Sequence, residues 1–318
     1  MGVLDVSIII VNWNTKELLR NCLKSVFEQT VNVDYEVIVV DNASTDGSSE
    51  MLQNDFPQVI LIENDENRGF AAANNQAIAV AKGRYVLLLN SDTIVLDKAI
   101  EKTIFFANEN QEAGAVGCRV LNPDGSLQMT CFMFPSILNM ILSSTYLYKI
   151  FSKNKFFGRE QMTWWDRNDV REVDVITGCF MLVRREAIEQ TGNLDESFFV
   201  YGEETDWCYR LKKNGWKVMF TPVGQIIHFG GQSTRQIRVE MILQLRGSIL
   251  LFIRKHKGFL SHILSRLITA IFFFLRAPYW FVKGIIHRSK WTDSIHTAQA
   301  YLLGGFYCLM SWKKLLIQ

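Results

Sequence analysis

Carboxylates and amides recur in this chain directly after short apolar runs. "VSIIIV" runs into Asn12, and "YEVIVV" into Asp41 and Asn42, followed by Ser44 and Asp46 in "ASTDGS". "QVILIE" leads to "NDENRGF" with Arg68, and "YVLLL" to Asn90, Ser91 and Asp92. Each cluster taken singly has an ordinary explanation. Asp46 in "TDGS" has good helix-capping chemistry, Asp92 alone could cap a following helix, and Asn67-Arg68-Gly69 reads as a turn with glycine at positive φ. Four consecutive clusters weigh more, because one capping acid does not make the next more common. Further on, Glu203, Glu204 and Asp206 crowd into "YGEETDW", and His228 precedes "FGGQST" and Arg235. The acids suit either proton abstraction from a hydroxyl or a helix N-terminus, and a histidine after apolar residues suits either a packed core or a ligand site.

The elements that must position these groups can be read from periodicity. The four apolar runs are strands of the kind buried on both faces. Between the first two, Leu18, Leu19, Cys22, Leu23, Val26 and Phe27 mark a helical face, with Asn14 and Glu17 as its expected start. Between the last two, "GFAAANNQAIAVAKG" is an Ala-rich helix that Gly83 is expected to close. This strand–helix alternation predicts an α/β fold with a mostly parallel central sheet flanked by helices. In such a sheet ligands bind outside the carboxyl ends of the strands, where the polar clusters fall. "GAVGCRVLNPDGS" gives a further strand and turn, residues 128 to 172 are irregular and aromatic, and "VITGCFMLVRREAIEQTG" restores a strand and helix. A helix ending near Gly215, the strand "KVMFT" and a long helix from about 237 complete the order.

Net charge is +2, but residues 246 to 318 hold eleven Lys/Arg against one acid, Asp293, so the rest of the chain is acidic. The six cysteines have no CxxC or metal-like spacing and read as reduced, packed thiols. "MGVLDVSIIIVNWN" lacks the basic leader of a signal peptide and fails the myristoylation pattern. The basic tail is greasy rather than polar, which argues against a nucleic-acid partner.

"SIIIVNWN", "VIVVDNASTDGS", "NRGFAAANN" and "LLLNSDT" resemble the sequential motifs of family-2 glycosyltransferases with the GT-A (Rossmann-like) fold, nearest to bacterial rhamnosyltransferase-like members. The resemblance runs over residues 5 to 235. It implies inverting transfer of a sugar, rhamnose among the candidates, from a nucleotide-diphosphate donor (UDP- or dTDP-sugar) to a saccharide or lipid-linked acceptor in surface polysaccharide synthesis. It also implies roles. Asp41 contacts the base, with Val11, Asn12, Ser44, Arg68 and Asn90 around the nucleotide. Asp92, at the family's DxD position, binds a divalent cation (Mg or Mn) with His228. Asn90 departs from the first Asp of that motif. Glu204 falls on the general base, although Asp206 is equally placed on spacing. Gly178, Glu203 and Arg235 line the phosphate or acceptor side.

Residues 1–236 are therefore expected to form the catalytic domain and 237–318 a C-terminal helical extension, apolar and basic. In the tail, Leu267 to Leu275 is uncharged for only nine residues before Arg276, and Ala277-Pro278 follows. Spanning needs about 20 apolar residues, so an in-plane amphipathic anchor is expected instead. That would make the protein peripheral or monotopic on the cytoplasmic face of the cell membrane. Two other classes compete. A nucleotidyltransferase would need a Gly-rich basic loop after the first strand, which "NWNTKELL" lacks. A non-catalytic, membrane-bound saccharide-binding protein would accommodate Asn90 and Glu204.

Overall fold

A computed structural model describes residues 4–231, 238–287 and 291–317. The chain forms two compact units: the first comprises Met1–Phe134, Gln161–Phe198 and Glu203–Ser233, the second Pro135–Glu160, Phe199–Gly202 and Thr234–Gln318. Part of the irregular aromatic region thus belongs with the C-terminal helices.

The first unit alternates β1 (Val6–Asn12), α1 (Lys16–Gln29), β2 (Tyr35–Asn42), α2 (Ser48–Asp55), β3 (Ile60–Asn64), α3 (Gly69–Val80) and β4 (Tyr85–Asn90). These four strands lie side by side in the order β3-β2-β1-β4, all parallel. β5 (Thr93–Leu96), α4 (Ala99–Glu109) and β6 (Ala113–Leu121) follow. The rest of the sheet is mixed: β10 (Phe180–Arg184) runs antiparallel between β4 and β6, and β11 (Lys217–His228) is parallel to β6 but antiparallel to β5. Among the described residues the sheet has nine strands, β8 (Arg171–Glu172) pairing with β11. A separate ribbon joins β7 (Cys131–Phe132) to β9 (Val175–Ile176).

Strand alternation explains why these runs are apolar throughout. Ile8 and Ile10 of β1 face the layer of α1, α2 and α4, while Ile9 joins Ile38, Val40, Val86 and Leu88 under α3, α7 (Arg185–Thr191) and α8 (Glu203–Lys213). A strand covered on both faces has no polar side to show. All six cysteines are buried free thiols.

Two local expectations are corrected. α1 is not capped by Asn14 and Glu17: Asn14 sits at φ 52 with its Oδ1 accepting from the Thr45 amide, and the Lys16 amide donates to Asp46 Oδ2 at 2.8 Å. Gly83 does not close α3 in the left-handed region. The helix ends at Val80, and a Cβ at Gly83 would lie 2.4 Å from the Ser7 amide nitrogen and 2.5 Å from the Val6 carbonyl carbon. The glycine is there because backbone passes over backbone.

In the second unit, α5 (Ile137–Thr145) and α6 (Leu147–Ile150) accompany α9 (Arg238–His256), α10 (Phe259–Ile286) and α11 (Trp291–Met310). α10 runs unbroken through Pro278, beyond the point where the sequence pattern suggested an interruption, and is long and apolar enough to cross a membrane. It packs on α11 through small residues: a Cβ at Gly305 would meet the Phe274 ring at 2.6 Å. Its outer side exposes Leu260, Leu264, Leu267, Ile271, Leu275, Val282 and Ile286, a stripe at helical spacing.

Replacing Gly83 by Ala should cost on the order of 2 kcal/mol or more, because the added methyl meets backbone that cannot rotate away. A urea denaturation midpoint equal to the parent's would refute the close-approach account.

Candidate active site

Parallel register aligns the polar strand ends. Asn12 lies opposite Asp41 across β1 and β2, and Val11 opposite Asn90 across β1 and β4. The Asp41 carboxylate is buried; its Oδ1 accepts from Asn12 Nδ2 at 2.8 Å and its Oδ2 from the Ser44 amide at 2.9 Å. Asn12 is fully buried and spends its amide locally, donating also to Ser44 Oγ at 3.1 Å and accepting from Thr15 Oγ1 at 2.6 Å. Since Thr15 donates to Asn12, the Ser91 hydroxyl, 2.8 Å away, must donate to Thr15. An unbroken row of hydrogen bonds thus leads from Asp41 to the residue beside Asp92. Neither Thr15 nor Ser91 stood out in the sequence as part of this row.

Asp46 is a structural acid: besides the Lys16 amide, it accepts from the Ser48 amide and hydroxyl at the start of α2. Arg68 is exposed at the N-terminus of α3, where Gly69 has φ +78 and its amide donates to Asn67 Oδ1.

Asp92 caps no helix, for β5 begins at the next residue. Antiparallel pairing of β11 with β5 puts His228 opposite Thr93, and the Phe229 amide donates to the Asp92 carbonyl at 2.9 Å. The His228 ring is thereby brought to Asp92, with Nε2 at 3.2 Å from Oδ1 and at 3.2 Å from Asn90 Nδ2. Gln128, in the segment the sequence left unread, settles the tautomer. Its Nε2 donates to Asn122 Oδ1 at 2.8 Å and to the His228 carbonyl at 3.1 Å, so its Oε1 is the acceptor that faces His228 Nδ1 at 2.6 Å. Nδ1 carries a proton, and Nε2 is turned toward Asn90 and Asp92. The hint available in sequence was the "NPDGS" turn, which folds the chain back so that the Gln128 amide donates to the Val120 carbonyl beside the β6 end.

A lone pair facing a carboxylate is unfavourable unless a cation or donor lies near. Two cis ligands at about 2.1 Å from an octahedral cation sit about 3.0 Å apart. The 3.2 Å between Nε2 and Oδ1 fits such a pair, and imidazole plus carboxylate suits Mn or Mg once phosphate oxygens complete the shell. Among the described residues no group of three His, Cys, Asp or Glu side chains could hold a metal ion unaided.

Glu203, Glu204 and Asp206 occupy the first turn of α8. Asp206 is fully buried and bound by Arg210 Nε at 2.6 Å, whose guanidinium also donates to the Thr191 and Asn193 carbonyls. That carboxylate ties the helix to the loop after α7. Glu203 is buried, with Oε2 lacking a hydrogen-bond partner among the described residues, and burial, then the charge of Glu204, pushes its pKa well above the usual carboxylate range. Glu204 is the partly exposed acid. The buried Cys179 thiol at the foot of β10 is pushed up to about 12, first by burial and further by the charges of Asp92 and Glu204. Gly178 faces the Phe70 ring, which a Cβ would meet at 3.2 Å. Arg235 lies outside the described residues.

A family model described as "Glycosyl transferase family 2" matches residues 7–192. The chain belongs to glycosyltransferase family 2. This family-2 chain is 28% identical over 236 residues to the O-antigen biosynthesis protein RfbC of Myxococcus xanthus, covering 74% of this chain but only 18% of that protein's length. It is 26% identical over 234 residues to an N-acetylglucosaminyl-diphospho-decaprenol L-rhamnosyltransferase of Mycobacterium tuberculosis, covering 70% of this chain and 76% of the relative. Its fold matches the mannosyltransferase PcManGT of Pyrobaculum calidifontis, solved with GDP-Man and Mn2+, at a TM-score of 0.57 and 17% identity over 98% of this chain and 88% of that one. The fold is of the GT-A type, and family membership disfavours both the nucleotidyltransferase and the non-catalytic readings.

Glu203 yields a stability prediction with a definite sign. The folded chain holds its proton more tightly than the unfolded chain, so stability falls as pH rises from about 4.3 toward the raised folded value. Glu203→Gln should flatten this part of the melting-temperature profile and leave the variant at least as stable as the parent at pH 8. A variant profile parallel to the parent's and lower throughout would reject the account.

Proposed function

We propose that this family-2 enzyme is a metal-assisted, inverting glycosyltransferase acting on a UDP- or dTDP-sugar, with a lipid-linked saccharide as acceptor. The observation that carries the reading is the strand-end row itself: Asp41, Asn12, Thr15 and Ser91 joined by hydrogen bonds, with Asp92, Asn90 and His228 at its end.

Asp41, held rigid by Asn12 and Ser44, keeps lone pairs for an N–H of uracil or thymine. The backbone at Val11 and Asn12 flanks the nucleoside, and Arg68 offers a charge beside it. Asp92 and His228, with the Asn90 amide, would hold Mg or Mn. When bound, the cation supplies Lewis-acid stabilisation of the leaving diphosphate. Gln128 keeps the His228 lone pair directed there. Glu204 is the proposed base, because Asp206 is committed to Arg210 and Glu203 is buried. It takes the proton from the acceptor hydroxyl, whose oxygen attacks the anomeric carbon opposite the diphosphate. Glu203, raised toward its neutral form by burial and by Glu204, adds no second charge to repel the incoming oxygen.

A lipid-linked acceptor is supported by the similarity to the decaprenol-linked rhamnosyltransferase and by the apolar stripe of α10. That stripe suits a helix lying in a leaflet, with Lys and Arg at headgroup depth, and supports the proposal of attachment at the cytoplasmic membrane surface.

Asp92→Ala should abolish the Mn- or Mg-dependent part of sugar transfer, at least about a hundredfold, and weaken the stabilisation that UDP or dTDP gives in Mn. Glu204→Gln should bind nucleotide as the parent does while turnover falls on the order of a hundredfold or more. Near-normal turnover in Glu204→Gln would reassign the base.

A further inference from the structure

The second unit contains two cations with little to neutralise them. Arg246 of α9 stacks its guanidinium carbon 3.9 Å from the centre of the Phe272 ring, and Arg276 of α10 lies 3.8 Å from the same ring centre. Arg276 is partly committed, donating to the Ser144 carbonyl at 2.6 Å and the Phe272 carbonyl at 3.3 Å. Arg246 is mostly withdrawn from solvent, and among the described residues it makes no hydrogen bond and neither guanidinium pairs with a carboxylate. The acid that acts on Arg246 is Glu160, whose own pKa is raised, chiefly by burial. Among the described residues two further buried polar atoms lack hydrogen-bond partners: the Ser144 hydroxyl, whose carbonyl receives Arg276, and Arg159 Nε, one residue before Glu160.

Ring stacking alone does not explain the pairing. One face of an aromatic ring suits one cation, and a second guanidinium so close raises the repulsion. A guanidinium presents five donors, and those of Arg246 are unspent. Planar, forked donors in a partly dry setting match phosphate oxygens, which accept two parallel N–H groups. Arg276 directly follows Leu275 on α10, within the exposed apolar stripe that includes Ile271. The combination describes the head of an amphiphile: phosphate at the arginines, hydrocarbon along the helix.

We propose that the second unit binds the phosphate or diphosphate ester of a long-chain lipid through Arg246 and Arg276, with the Ser144 hydroxyl as an added donor. That this lipid is the saccharide acceptor rests on the function proposed above; the site itself does not.

The test uses the full chain and two variants, Arg246→Met and Arg246→Lys. Without ligand, Arg246→Met should melt no lower than the parent, since it removes an unpaired cation and keeps contact with Phe272. A polyprenyl diphosphate in micelles should stabilise the parent, a polyprenyl alcohol should not, and Arg246→Met should bind the diphosphate about ten- to a hundredfold more weakly. Arg246→Lys should fall between them. Stabilisation by inorganic pyrophosphate to the same degree would identify the diphosphate alone as the ligand. Arg246-dependent sedimentation with phosphatidylcholine vesicles only when phosphatidylglycerol is included would identify a lipid headgroup. The proposal is overturned if no phosphate probe depends on Arg246, or if Arg246→Met is destabilised without ligand. UDP and dTDP stabilisation, measured in parallel, should be equal in parent and variant. Loss of the nucleotide effect in the parent, with the lipid effect intact, would sink the donor reading and leave this site standing.

Discussion

The pairing of Asn12 with Asp41 across two adjacent parallel strands is the constraint on which the rest of the site depends. Parallel register puts equivalent ends level, and a buried amide between two such ends must find partners on each side. Asn12 finds them in Asp41, Ser44 and Thr15, and through Thr15 the order passes to Ser91. A row of this kind is expensive to leave partly satisfied in a dry interior, so each member fixes the next. The strand ends hold one another in place because their polar groups are already hydrogen-bonded to each other. What remains available is the outer side of Asp41 and the Asp92 end.

The C-terminal half of the sheet answers a different need. The parallel strands bring Asn90 beside Val11, but the residue that meets Asp92 arrives on a strand of opposite direction. β11, antiparallel to β5, returns His228 to Asp92 across more than a hundred residues of chain. Gln128 then fixes which ring nitrogen of His228 faces Asp92. Orientation by a partner behind the ring is what distinguishes a ligand-ready imidazole from a packed one.

Much of this was legible in the residues. Continuous apolar runs ending in Asn or Asp implied strands covered on both faces with a polar edge, and β1, β2 and β4 follow the runs almost residue for residue. Less visible was anything set by contacts between distant segments. Nothing local marks Thr15 or Gln128, and Ser91 stood out only as part of the cluster with Asp92, since each owes its place to a partner far along the chain. Gly83 reads as a helix terminator by its neighbours and is instead required by the Val6–Ser7 backbone crossing it. Asp206 and Glu204 are alike in spacing, and only the reach of Arg210 tells them apart. The segments of β10 and β11 read as strands, but their direction against β4 and β5 is set by pairing across the sheet and leaves no local trace.

The Asn90 amide, resting against Nε2 of His228, gives the cleft an unusual temperament. Where a second acid would hold a permanent counter-ion, here a neutral donor satisfies the imidazole. With Asp92 as the lone carboxylate beside this amide, the side chains that would hold a cation bring a single negative charge, and oxygens of the donor's own diphosphate would have to supply the rest of its shell.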